Sequence, residues 1–194
     1  VTGEKPRFRD GDLDSLGSLG FRPLAEPSTD LLVELEAAVE RAVGEPPFRL
    51  SLSYAREDIL ESDTAYYLPV TCVGSCGLLV TKRSREVIQF GSFVGAGTHV
   101  WAWLRGIEFS TDRANDIVIE SVSAPFEARQ ALKRVWPGAT ADLRDQLAQP
   151  PFRIRNQQLY WSIRELRQAE AEGWFEFRVE PPTPDSSTGD DREP

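Results

Sequence analysis

One histidine, His99, and two cysteines, Cys72 and Cys76, are the chain's whole supply of the side chains that most often carry nucleophilic, acid–base or metal chemistry. Any triad that needs an imidazole must use His99. It follows Gly95-Ala96-Gly97-Thr98, a small-residue lead-in of the kind active-site loops use. His99 and Trp103 share a face whether the segment is helical or extended, because four residues make about one helical turn or two pleats. Packing is the commoner fate of a histidine beside an aromatic. Cys72 and Cys76 have three residues between them, not the two of redox and zinc-ribbon motifs. A closed zinc site would have to take both thiols, His99 and a carboxylate, so no metal is expected and buried inert thiols are the simpler reading. His99 and Cys72 remain as catalytic candidates, and no cofactor is implied.

Two further segments carry chemistry-bearing types. Gly91-Ser92-Phe93-Val94-Gly95-Ala96-Gly97-Thr98 follows a strand, a place where anions bind, but it lacks the Lys-Ser/Thr of a P-loop and the third glycine of a dinucleotide fingerprint. Glu57, Asp58, Glu61 and Asp63 put four acids into seven positions without calcium-loop spacing. Such a run either keeps a loop solvated or meets a basic partner. Of the five tryptophans, Trp103 and Trp161 fall beside or off the apolar stripes described below, and Trp103 is the aromatic expected to join the four acids on a contact face.

The charge balance narrows the partners. The chain has 194 residues and a formal net charge of −9, with a pI near 4.8. That sign repels phosphate backbones and anionic lipid, so neither nucleic acid nor membrane is expected as a partner. No run of 18 apolar residues occurs, and the first thirty residues show no secretory pattern. Two cysteines are too few for a disulfide framework, which together with that start suggests a reducing cytoplasm. Nineteen Arg against three Lys suggest a GC-rich bacterial genome.

The elements that must position these residues alternate between two periods. Leu32, Leu35, Val39 and Val43 recur at three and four, with Ser28 or Thr29 as cap and Gly44 as stop, which predicts a helix over 29–43. Phe48 to Tyr54 alternates as a strand. A meander follows: a strand over 67–73, a Gly74-Ser75 turn, and the hairpin 78–81 with 86–90. Residues 98–105 fit a short helix stopped by Gly106 better than a Trp-rich strand. A strand over 116–122, a helix from a Ser123 cap to Trp136, a short helix over 140–148, a longer helix over 156–172 and a strand over 174–179 complete the pattern. Residues 1–26 read as an irregular, partly docked arm. The segment 181–194 has no large apolar residue and is expected to be disordered and dispensable for stability.

These elements predict an α+β domain over 27–180, with one mainly antiparallel sheet of about five or six strands and helices packed on one face. The hairpin Leu78 to Gly91, in a small acidic α+β chain, resembles proteins of the SUKH immunity superfamily, although that group's amino-terminal Leu-Pro and acidic-Tyr pattern is missing. The resemblance implies an immunity-like role. Two functional classes follow. One is a non-enzymatic binding module, immunity-like or regulatory, that contacts a basic protein partner. The alternative is a small-molecule enzyme using His99 with Cys72 or a carboxylate. The oligomeric state is not legible.

Overall fold

Ser28 begins the first large element as expected. Its hydroxyl accepts the Leu31 N–H at 3.2 Å, and helix α1 runs Thr29–Val43 with Asp30 in its first turn and Arg41 in its last, each suited to the helix dipole. The computed structural model describes residues 15–43, 58–69, 75–107, 109, 114–136 and 142–183. These fall into two compact units, one ending at Trp101 and the other beginning at Ala102. The expected strand over 48–54 lies outside the described residues.

The unit that ends at Trp101 is built on a five-stranded antiparallel meander, β1 (Arg22–Pro23), β2 (Leu60–Glu61), β3 (Ala65–Leu68), β4 (Ser75–Thr81) and β5 (Val87–Gly91), in that spatial order. The described part of the arm, 15–26, is docked but not irregular as expected: it holds a 3₁₀ turn over Gly17–Leu19, buries Phe21 and supplies β1, where Arg22 pairs with Glu61. β3 stops at Leu68, just before Pro69, whose missing N–H would break the ladder. Ser75 opens β4 rather than forming a turn, and Gly74 lies outside the described residues. One face of the sheet presents Tyr66, Leu68, Leu78 and Val80 to Leu32, Leu35, Ala38 and Val39 of α1. The other face carries Tyr67, Leu79 and Phe90, also buried. This sheet is therefore apolar on both sides, which explains why β3 and β4 read as continuous apolar runs.

A bulge interrupts the β4–β5 register between Ser75 and Gly77. There the Tyr67 ring lies over Gly77. A Cβ at position 77 would come within 2.4 Å of that ring, and the backbone has φ of +147°, so the position requires glycine.

Helix α2 spans Ala96–Leu104, which resolves the ambiguity at this segment in favour of helix. Gly106, at φ +75°, lets the chain turn so that the Ile107 N–H donates to the Ala102 carbonyl at 3.0 Å.

The unit that begins at Ala102 holds a second, three-stranded antiparallel sheet. β6 (Asn115–Val122) lies between β7 (Phe152–Gln157) and β8 (Phe175–Glu180). The α+β class and the antiparallel pairing agree with expectation, but the strands divide between two sheets instead of forming one. Helices α3 (Pro125–Val135), α4 (Asp142–Leu147) and α5 (Ile163–Ala171) complete the unit. Ser123 does not cap α3. The cap position is Ala124, with no side-chain bond, and Pro125 opens the helix, where its lost N–H matters least. The expected helix from 156 begins later. Residues 152–157 pair with β6, a 3₁₀ turn covers Leu159–Ser162, and α5 follows. Leu159, Ile163 and Leu166 are nevertheless all buried, as the stripe implied.

Ile117, Ile119, Ile154, Phe175 and Phe177 form the apolar side of this sheet. Its other side is charged. Arg178 Nε lies 2.9 Å from Glu120 Oε1, Ser121 donates to Glu176 at 2.9 Å, and Arg153 pairs with both Glu180 and Asp116. Residues 181–183 are not free of the fold as expected. Thr183 bonds to Asp116 through its hydroxyl and its backbone N–H. The rest of the expected tail, 184–194, lies outside the described residues.

Candidate functional site

His99 sits on α2 with no solvent exposure. Its ring stacks on Phe90, with centroids 5.0 Å apart and planes at 5°, and meets the edge of Phe93 at 5.1 Å. Nε2 lies 2.8 Å from the Gly91 carbonyl, an oxygen that can only accept, so this nitrogen carries a proton and donates it. The imidazole thus ties the first turns of α2 to the end of β5. That geometry serves packing and leaves no approach for a substrate proton.

Cys72 lies outside the described residues, and Cys76 is half-buried on β4. Among the described residues, no three His, Cys, Asp or Glu side chains gather as a metal site would need. The Gly-rich segment before α2 uses its own groups. The N–H groups of Thr98 and His99 both point to the Gly95 carbonyl, at 3.1 and 3.3 Å. The neighbouring hydroxyl of Tyr67 donates to the Cys76 carbonyl. Burial pushes its phenol above the ordinary range, with the Cys76 thiol adding to the effect, so it stays a proton donor in that bond.

The acidic run separates into two kinds of residue. Glu57 lies outside the described residues, and Asp58 and Asp63 are exposed. Glu61 is half-buried on β2, where Lys82 Nζ donates to it at 3.0 Å and Arg22 Nε approaches to 3.6 Å. The hydrogen bond from Lys82, reinforced by the charges of Lys82 and Arg22, outweighs burial and holds the Glu61 carboxyl below its ordinary range. Glu61 is thus engaged in fastening β1 and β2 to the turn after β4, and its charge is already answered.

Trp103 is half-buried. It belongs to the unit that begins at Ala102, whereas the acids belong to the unit that ends at Trp101. Trp161 is the tryptophan that faces solvent, 61% exposed in the 3₁₀ turn, with Tyr160 edge-on to it at 5.0 Å and Phe109 edge-on to Tyr160 at 5.9 Å. Their places beside or off the stripes make Trp103 and Trp161 the tryptophans expected at the surface, and only Trp161 is exposed there. Sequence reasoning missed the buried Asp116, whose partners come from β7 and the C-terminal segment. It also missed the outer face of α1, where Asp30, Glu34, Glu36 and Glu40 are exposed alongside Arg41. The positions left over by the stripe of Leu32, Leu35 and Val39 would have revealed that face.

Among the described residues no helix is long and apolar enough to cross a membrane. Set against known proteins, the chain matches no family model, no curated protein and no solved structure.

Proposed function

We propose that the protein is a non-enzymatic binding module, immunity-like or regulatory, that contacts a basic protein partner and works in the reducing cytoplasm. The observation that carries this reading is the exposed acidic face of α1, four carboxylates to one arginine, with Val33 58% exposed among them. Glu34 shares its charge with Arg85 at 2.6 Å, and the neighbouring charges of Asp58 and Asp63 add to the negative field of the same unit. Such a field steers a cationic surface into encounter, and it fades as salt screens it over about 8 Å at physiological strength. The short-range affinity then comes from apolar contact, for which Val33 is better exposed than Trp103. The enzymatic alternative loses its central residue, because His99 is enclosed and bonded to Gly91.

The test is affinity capture from a native lysate by the wild type and by the variant D30N/E36Q/E40Q. Capture of a basic protein by the wild type, weakened about tenfold or more in the variant and by raising salt from 50 to 300 mM, supports the proposal. Capture indifferent to both the substitutions and salt overturns it.

A further inference from the structure

Asp116 is a wholly buried carboxylate near the start of the central strand of the three-stranded sheet. A single oxygen, Oδ2, accepts from three donors: Arg153 Nη1 at 3.0 Å, the Thr183 hydroxyl at 2.6 Å and the Thr183 N–H at 3.3 Å. Arg153 Nη1 also donates to Thr183 Oγ1 at 3.1 Å, closing a small ring of bonds. Two of the three donors thus come from one residue that stands three positions beyond the last strand. Pro181 and Pro182, which lead to it, are exposed and carry no N–H to join the ladder. Nothing else in the described residues of this segment is comparably bonded.

We infer that Thr183 is the catch of a C-terminal latch. When it is closed, the segment 181–183 lies over the charged side of the sheet and keeps Asp116 from water. When it is open, Asp116 and Arg153 become accessible at that end of the sheet, and β6 loses part of its cover. Hydrogen bonds to an ionised acceptor are stronger than neutral ones, and Oδ2 accepts three of them, so the closed form is favoured in the isolated chain. Any event that pulls Thr183 away from Asp116 must break the catch, and by reciprocity the closed catch opposes that event by the same free energy. The device couples the position of Thr183 to the tightness of one sheet.

The test uses the full chain, Thr183→Val, Thr183→Ser, and two shortened chains ending at Glu180 and at Ser186. Ending at Ser186 keeps the new terminal carboxylate away from Asp116. Thr183→Val and the chain ending at Glu180 should both melt on the order of 5 °C lower than the full chain. In both, amide exchange over Asn115–Val118 should accelerate. Thr183→Ser and the chain ending at Ser186 should match the full chain in both readouts. Unchanged melting and unchanged exchange in Thr183→Val would overturn the latch. So would a chain ending at Ser186 that loosens as much as the one ending at Glu180.

Discussion

The five-stranded sheet is apolar on both faces, whereas the three-stranded sheet is apolar on one face and ionic on the other. In the first, β3 is buried at all four positions. In the second, β8 alternates buried and exposed along its first four residues. The two sheets are therefore held by different forces. Burial on both sides makes the first sensitive to shape, since a close-packed interior has little room to adjust. The second can lose an exposed ion pair on its outer side with little consequence, because such pairs contribute about 1 kcal/mol or less.

The largest effect that would break this contrast is at the bulge. Gly77→Ala should destabilise the protein by about 4 kcal/mol or more, since the new methyl meets the Tyr67 ring in a backbone conformation that L side chains avoid. Arg178→Ala on the outer side of β8 should stay within about 1 kcal/mol. Urea midpoints compared for the two variants decide it. Equal losses would mean that the two sheets do not differ in the way their burial suggests.

Next comes His99→Ala, expected to remove about 3 kcal/mol through the lost stack on Phe90 and the lost bond to Gly91. His99→Phe keeps the stack and should recover part of the loss. A histidine that mattered for chemistry instead would leave the midpoint near the wild-type value.

The smallest effect lies at Glu61, the polar fastening on the otherwise apolar meander. Its carboxyl is held below the ordinary value of 4.5 in the fold. The stabilisation is then fully present above that value and is lost as pH falls through the lower, folded one. Wild type should exceed Glu61→Gln by less than about 1 kcal/mol at neutral pH, and the gap should narrow as pH falls below 4.5. Thermal melts across that range would show a constant gap if Lys82 and Arg22 were not the cause.

The contrast between the sheets also explains what the sequence could and could not reveal. α1 was legible to its ends, because a cap and a stop flank the fifteen residues that carry its stripe. β8 was legible because one wet face writes a period of two. β7 was not, although Phe152-Arg153-Ile154-Arg155 alternates as cleanly. The polar run Asn156-Gln157-Gln158 favours helix when read alone, and only pairing with β6, more than thirty residues earlier, overrides it. The division into two sheets was hidden for the same reason, since periodicity reports a strand's faces but not its neighbours. Of the candidate site, the enclosure of His99 depends on Phe90 and Gly91 folding back over it, and the answering of Glu61 depends on Lys82 across the meander. Asp116 looked like any strand-end acid because its partners are 37 and 67 residues away.

The charged side of the three-stranded sheet bears finally on how the protein behaves in crowded solution. Its end strands are β7 and β8, and an end strand exposes a template on which a neighbouring molecule can add its own backbone. Arg153 and Arg155 line one of them, and Glu176, Arg178 and Glu180 line the other. A flat, apolar edge would welcome such growth. Here an incoming strand would have to lie against rows of charge, of which Arg153, Arg178 and Glu180 are already locked into ion pairs, and two copies meeting through β7 would bring arginine against arginine. The charges that add so little to folding stability are thus expected to slow fibrous aggregation, so Arg178→Ala should raise the growth of thioflavin-positive fibres while leaving the melting curve almost unchanged.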